Sequence, residues 1–475
     1  MLVKNQEIEL NITTLGAEGE GIGHYEDGMT VFVSDALPGD KVLAHIMKVK
    51  KNYAYAFAKE ILVPSEKRVE SKCPVAKKCG GCTFLHLDYK EQLKFKQDKV
   101  LNAITRIGGI ENPPMEDIVG ADNCFFYRNK AQFPVGTDKD GNPVIGFYRK
   151  RSHDVVANTE CVIQADINAG IMGTIEGFLK EFKISAYNEE TGKGLVRHVF
   201  TRTGFSTGEV MVCIVINGDE LPKWEILCER LKSVCKGAFL ELKSFCLNIN
   251  KKNTNVIMGQ QCMSLFGPLY IEDCIGDVRY RISPLSFYQV NPEQTKKLYD
   301  LALEYADLSG NETVWDLYCG IGTISLYLAK KASKVYGVEI VPEAIENAKE
   351  NAEINNITNA EFFVGASEDV APKLPAPDVI VVDPPRKGCD EKLLETIISV
   401  KPEKVVYVSC DPATLARDLK ILCANGYTLK RVRPVDQFCH TTHVETIALL
   451  SRETYRPKKD YIKVGIDAEE YYAIK

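Results

Sequence analysis

The chain has no apolar run approaching the roughly 18 residues that a membrane-spanning helix needs. Its first residues, Met1-Leu2-Val3-Lys4-Asn5-Gln6-Glu7, enter an alternating strand pattern directly, without an apolar leader core. No membrane association is expected, and the expected location is cytoplasmic. A Gly-Lys-Ser/Thr phosphate loop is absent and the one cofactor-type glycine turn is not Gly-x-Gly-x-x-Gly, which disfavours ATP or a dinucleotide. There is no internal repeat and no low-complexity tract. Net positive charge is also missing: 59 Lys and Arg stand against 65 Asp and Glu, a balance of −6. The chain as a whole therefore does not advertise a nucleic-acid binder, and any anionic partner must meet a local patch.

Two such patches are present. Residues 72–106 carry eight Lys/Arg against three Asp/Glu, and residues 127–151 carry six against two. Islands of this kind on an acidic background suit a localised anionic partner, although solvated faces have the same composition. Cysteine is the residue in excess, with 16 in 475 positions. In a reducing compartment these point to metal binding or catalysis before disulfides.

The pattern along the chain divides it into parts. Residues 1–63 read as short strands, among them Glu7-Ile8-Glu9-Leu10-Asn11-Ile12 and Tyr53-Ala54-Tyr55-Ala56-Phe57-Ala58, punctuated by glycines. That is the signature of a small OB-like β-barrel, a common RNA-holding module. Residues 66–280 hold a cysteine cluster, a helix-like stretch near 88–107 and then a strand-rich region. Residues 281–455 alternate strand and helix, with strand cores at Thr313–Leu317, Lys334–Val338, Asp378–Val382 and Lys404–Val408. The expected fold class is multidomain α/β, ending in a doubly wound, Rossmann-like domain. A charged, tyrosine-rich tail covers 456–475.

Chemistry gathers at the expected strand tips. Asp316-Leu317-Tyr318-Cys319-Gly320-Ile321-Gly322 runs from strand into glycine turn, and Glu339 ends the next strand. A carboxylate at that place can take both ribose hydroxyls of a nucleoside cofactor. The acidic residue before the turn suits the cationic end of S-adenosylmethionine. Asp383-Pro384-Pro385 forms a rigid tip after Val379–Val382. Amino-group methyltransferases follow such a tip with an aromatic; Arg386 stands here, which disfavours methylation of an exocyclic nitrogen. Cys410, in Ser409-Cys410-Asp411-Pro412, follows Lys404–Val408 and is the candidate nucleophile. A thiolate adding at carbon 6 of uracil makes carbon 5 nucleophilic, and a base must then remove the carbon 5 proton. Glu445, before the apolar run Ile447-Ala448-Leu449-Leu450, is the candidate base. Cys389 is a rival nucleophile, Cys319 reads as packing, and His440 and His443 read equally as orienting or structural. Cys73-x5-Cys79-Gly80-Gly81-Cys82 places three thiols in one loop, with Cys161 or Cys124 as a fourth; four thiolates suit zinc or an iron–sulfur cluster.

Together these segments resemble the RNA uracil-5-methyltransferase family, and most of all its 23S rRNA branch, over nearly the whole chain. The resemblance implies a TRAM domain for the barrel and a [4Fe–4S] site for the cysteine loop, with Cys73, Cys79, Cys82 and Cys161 as ligands. Ser286-Phe287-Tyr288-Gln289-Val290-Asn291 is similar to the segment whose glutamine touches S-adenosylmethionine, which implies that role for Gln289. Tyr318, Glu339 and Asp383 match further cofactor positions. Ser-Cys-x-Pro-x-Thr-Leu-x-Arg-Asp is similar to the nucleophile motif, implying Cys410 as nucleophile and Glu445 as base. Cys439 departs from a frequent proline and Asp411 from a frequent asparagine. An adenine-contacting asparagine, frequent near Gly365-Ala366-Ser367, has no clear counterpart. The expected partner is 23S rRNA, with tRNA as the alternative and no protein partner implied. A non-catalytic RNA-binding factor and a cytosine-5 methyltransferase are the competing readings. The cytosine enzymes typically carry cysteine where Arg386 stands.

Overall fold

A computed structural model describes residues 2–452; the tail expected at 456–475 lies outside them. The first part is a six-stranded sheet in the spatial order Glu7–Asn11, Lys41–Val49, Tyr53–Val63, Thr30–Ser34, Gly21–His24, Thr14–Leu15. Thr13 N donates to Ile22 O (2.8 Å), extending the pairing of the last two strands. Alternation places Ile8, Leu10, Val31, Val33, Val42, Ala44 and Ile46 in one interior core, as a sheet with a single buried face requires.

The second part is a seven-stranded sheet ordered Gln261–Phe266, Glu241–Ile249, Glu209–Ile216, Val196–Thr203, Lys130–Thr137, Pro143–Tyr148, Val155–Ala157. Helices Ile167–Glu181 and Trp224–Gly237 pack with one face of it. Phe200, Met211, Cys213 and Cys246 from this sheet join the core of the next part.

The third part is a seven-stranded sheet ordered Ala360–Val364, Lys334–Glu339, Thr313–Leu317, Val379–Val382, Lys404–Ser409, Glu445–Arg452, Tyr427–Val435. The first five are parallel and Glu445–Arg452 runs against them. Val379–Val382 is buried along its whole length, which is why it reads as an unbroken Val/Ile run. The strand order reverses between Thr313–Leu317 and Val379–Val382, and ligands of open α/β sheets bind beyond the strand ends at such a switch point.

One expected boundary needs correction. The division at 280/281 falls inside the strand Val278–Ile282. This strand forms a hairpin with Ile271–Ile275, and both contribute to the core of the third part. Tyr280 OH donates to Thr323 O (2.9 Å), and Arg281 N donates to Asn351 Oδ1 (2.8 Å). The alternating pattern of a half-buried hairpin is the same whichever neighbour it covers, so sequence could not assign it. No helix among the described residues is long and apolar enough to cross a membrane.

Candidate active site

The tips of the third sheet open into a cavity of about 620 Å³ whose wall includes Gln289, Tyr318, Glu339, Asp383, Cys410 and Glu445. Every residue expected from sequence to bind the cofactor or act in catalysis therefore faces one space.

Its cofactor end is built on the glycine turn. Tyr318 adopts φ +75°, and Gly320 and Gly322 follow with φ +55° and +81°. A side chain at Tyr318 in that region is strained, a condition that persists where the surroundings over-determine it and that clusters at ligand sites. Glu339 closes the turn: its Oε2 accepts from Gly320 N (3.2 Å) and its Oε1 from Val341 N (3.1 Å). Asp316 is buried; its Oδ2 accepts from Ser325 Oγ (2.5 Å). Its Oδ1 has no partner among the described residues. Burial pushes the Asp316 carboxyl up to about 7, and burial together with Asp316 pushes Asp383 up to about 7. Carboxyls held back from ionising beside an orphaned oxygen fit a cationic ligand, whose arrival would favour their charged forms. Gln289 comes from outside the sheet, on a segment fixed by the second part. Asn129 Nδ2 donates to Gln289 O (3.0 Å), Asn129 N to Val290 O (2.8 Å) and Arg202 Nη2 to Ser286 O (2.9 Å). The segment near Gly365 for which no asparagine was assigned also lies here, with Gly365, Ala366, Ser367 and Glu368 on the wall.

The other end holds Cys410 and Glu445. The antiparallel pairing Ser409↔Thr446 sets the residue after one and the residue before the other side by side at the ends of adjacent strands. Asp411 caps the helix Pro412–Ala424, accepting from Ala413 N (2.9 Å) and Thr414 N (3.0 Å). Burial, then Glu445 and Asp383, push the Cys410 thiol up to about 11, while Arg386 pulls it down. Burial, then Asp383, push Glu445 up to about 8, against Arg386. Glu445 is 3% exposed, so desolvation of the carboxylate dominates.

The rest of the Cys410 motif holds the Asp-Pro-Pro loop. Thr414 Oγ1 donates to Arg386 O (3.2 Å), and Arg417 Nη2 donates to Lys387 O (3.0 Å) and Cys389 O (3.2 Å). Asp418 accepts from Cys389 N (2.8 Å) and Tyr407 OH (2.6 Å). Cys389, the rival nucleophile, is buried there with its thiol pushed up to about 12 by burial, and it is not on the cavity wall. Cys319 is on the wall but buried, and burial raises its thiol well above the usual range.

The segment leading to Glu445 is gripped by the helix Tyr89–Arg106. Lys96 is ion-paired with Asp436, both fully buried. Lys96 Nζ also donates to Phe438 O (2.9 Å) and Tyr89 OH to Asp436 Oδ2 (2.8 Å). A buried pair satisfied on both sides in this way holds its geometry without a stranded charge. His440 N donates to Gln92 Oε1 (3.0 Å), and His440 O accepts from Thr83 N and Phe84 N. The His440 main chain is thus part of this grip, and burial keeps its imidazole below the usual range. His443 faces the cavity.

Cys73, Cys79, Cys82 and Cys161 line a second cavity of about 390 Å³, with Arg128 and Lys130 beside them. Burial first, and then Cys161, Cys79 and Cys73, raise the Cys82 thiol. Cys124, the alternative fourth ligand, packs beside Cys439 in the small cluster that also takes in Cys82 and Cys161, but it is not on this cavity's wall. The thiol set suits a thiolate-held group in number and chemistry. Among the described residues, however, no group of three or more His, Cys, Asp or Glu side chains is arranged to hold a metal ion. The structure therefore does not show the expected iron–sulfur site. Cysteine spacing specifies which thiols share a loop but not the distances between sulfurs.

Residues not singled out from sequence also reach the first cavity. Phe287, Tyr299, Thr323, Lys387 and Phe438 are on its wall. Phe287 is 67% exposed, an unusual state for an aromatic beside a buried glutamine, and its place within Ser286–Asn291 was the available signal.

Comparison with known proteins points to one family. The tRNA (Uracil-5-)-methyltransferase family profile matches residues 88–376, a TRAM domain profile matches 3–59, and a methyltransferase domain profile matches 308–463. An uncharacterized RNA methyltransferase of Bacillus cereus is 50% identical over 453 residues, covering 94% of this chain and 97% of that protein. One from Clostridium acetobutylicum is 49% identical over 455 residues, covering 94% and 98%. Among solved structures, Pyrococcus abyssi tRNA (uracil-54, C5)-methyltransferase in complex with S-adenosyl-L-homocysteine superposes with a TM-score of 0.75 at 31% identity. It covers 93% of this chain and 100% of that chain.

Proposed function

The chain belongs to the RNA uracil-5-methyltransferase family, and from that premise we propose that it methylates carbon 5 of a uridine in 23S rRNA through a covalent adduct on Cys410. The observation that carries this reading is the shared wall of Gln289, Tyr318, Glu339, Asp383, Cys410 and Glu445. S-adenosylmethionine supplies the electrophilic methyl group. Gln289, Tyr318, Glu339 and Asp383 hold it, with Glu339 at the ribose. The uridine is turned out of its stack into the cavity, which costs least for an unpaired base. Cys410 thiolate forms the S–C6 bond, and the C5=C6 π pair moves toward the C4 carbonyl oxygen. Carbon 5 then takes the methyl group as the sulfonium S–CH3 bond breaks, leaving S-adenosylhomocysteine. Glu445 removes the carbon 5 proton, the C5=C6 bond returns and the thiolate leaves.

The TRAM domain and the cysteine loop tilt the reading toward rRNA, because classical bacterial tRNA members of the family usually lack both, while some archaeal-type tRNA members keep the cysteine loop. The Pyrococcus abyssi enzyme favours a second reading, tRNA, since that tRNA methyltransferase matches 93% of this chain. Incubation with radiolabelled S-adenosylmethionine and unmodified 23S rRNA or tRNA separates the two. Label is expected as 5-methyluridine in 23S rRNA, at a rate at least about tenfold above tRNA, a difference of about 1.4 kcal/mol in transition-state discrimination. Label in tRNA alone overturns the rRNA assignment.

We also propose that Cys73, Cys79, Cys82 and Cys161 hold a [4Fe–4S] cluster that ties the cysteine loop to the neighbouring chain. Support comes from the four thiols on one wall with two cations beside them. Protein purified without oxygen is expected to contain about four irons and four acid-labile sulfides per chain. One zinc and no iron would contradict this.

A further inference from the structure

Arg386 enters the sequence argument only as a residue that excludes other chemistry, but its location gives it a task. It is on the wall of the methyl-transfer cavity with Cys410 and Glu445, and on the wall of the thiol-lined cavity with Phe438 and His443. Its side chain therefore stands where the two spaces adjoin. Its backbone is tightly held. Pro384 and Pro385 before it restrict φ and lack N–H donors, and Thr414 Oγ1 on the nucleophile's own helix donates to Arg386 O (3.2 Å). Arg417 and Asp418 on the same helix fix Lys387 and Cys389 just beyond. Nucleophile and arginine thus belong to one hydrogen-bonded unit. The Arg386 side chain forms no ion pair or hydrogen bond among the described residues, so its cation is uncommitted.

The groups around Cys410 are otherwise mostly acidic. Glu445 lies at the neighbouring strand end and Asp383 on the Asp-Pro-Pro tip; Asp411 is turned to its helix cap. Asp316, Glu339, Glu368 and Asp390 face the same cavity, and Lys387 and His443 are the remaining basic side chains on its wall. A thiol so placed forms its anion against two nearby carboxyls. The one cation that offsets them at both Cys410 and Glu445 is Arg386.

We infer that Arg386 is a positioning residue that acts through Cys410, its guanidinium holding the thiolate against Glu445 and Asp383 as sulfur adds to the pyrimidine. The thiol proton passes to solvent, the S–C6 bond forms, and the negative charge leaves sulfur for the C4 carbonyl oxygen. This rests on Cys410 being the nucleophile, and methyl transfer by Cys410→Ala decides that question separately.

The test is the alkylation rate of Cys410 by iodoacetamide in RNA-free protein, followed by mass spectrometry of its peptide. Below its pKa a thiol reacts in proportion to its thiolate fraction. Losing one favourable charge should slow alkylation of Arg386→Met and Arg386→Gln about tenfold at a given pH between 7 and 9, the equivalent of one pKa unit. Arg386→Lys keeps the charge and should restore most of the rate. In single turnover at saturating RNA, the neutral variants should lose about tenfold in rate, with RNA Kd changed by less than about threefold. Unchanged Cys410 alkylation in both neutral variants would overturn the inference. So would a weakened RNA Kd with an unchanged saturated rate, which marks a phosphate contact only.

Discussion

Replacing Cys410 with alanine is expected to lower single-turnover methylation by at least about 10⁴-fold, the scale on which covalent catalysis is lost when a nucleophile is removed. The size follows from the substrate. Carbon 5 of uracil does not attack a methyl group unaided, and neither Cys389 nor Cys319 can substitute. Cys389 is buried away from the cavity, and Cys319 packs within the glycine turn with its thiol held well above the usual range. Cofactor affinity should stay within about threefold, because Glu339 and the strained Tyr318 turn are fixed by their own hydrogen bonds and not by Cys410. Isothermal titration with S-adenosylmethionine and a single-turnover assay on the same preparation check both halves. Methylation near the parental rate would remove Cys410 as nucleophile.

Glu445→Gln should stop the reaction one step later. Glutamine preserves the volume at the end of Glu445–Arg452 but cannot take the carbon 5 proton, so addition and methyl transfer proceed and release does not. Release should slow by about 10²–10⁴-fold, the usual contribution of a positioned base. The pH dependence has a definite sign. Burial and Asp383 put the parental carboxyl at about 8, and the base works as the carboxylate. Parental turnover limited by this step should therefore rise about tenfold per pH unit up to 8 and level off above it. Glu445→Gln should lose that rise. A rate profile flat between pH 6 and 9 in the parent would contradict the assignment.

Much of this was legible because two kinds of residue announce themselves locally. The runs Val379–Val382 and Lys404–Ser409 are buried throughout, as strands covered on both faces are. Each delivers its next residue, Asp383 or Cys410, to the sheet edge, so the strand assignment also located the chemistry. What sequence did not disclose depends on partners far apart in the chain. The helix Tyr89–Arg106 was legible as a helix. Its grip on the approach to Glu445 runs through Lys96 and Asp436, 340 positions apart. Thr414, Arg417 and Asp418 were legible as motif letters, but their work of holding the Asp-Pro-Pro loop depends on how two loops meet. The boundary at 280/281 cut the hairpin over 271–282, which bonds to both parts, because its alternation specifies a covered face and not the cover. The cysteine spacing identified the loop, and the structure puts Cys161 on the same cavity wall, with Cys124 packed nearby but off that wall.

The central claim is a covalent bond between Cys410 and a methylated uridine. It is read most directly by incubating Glu445→Gln with substrate RNA and S-adenosylmethionine, digesting with nuclease and protease, and taking the mass of the Cys410 peptide. The account predicts that peptide carrying one 5-methylated uridine nucleotide, and none in the Cys410→Ala, Glu445→Gln double variant. A methylated RNA product with no nucleotide on any cysteine, or with the nucleotide on another cysteine, would contradict it.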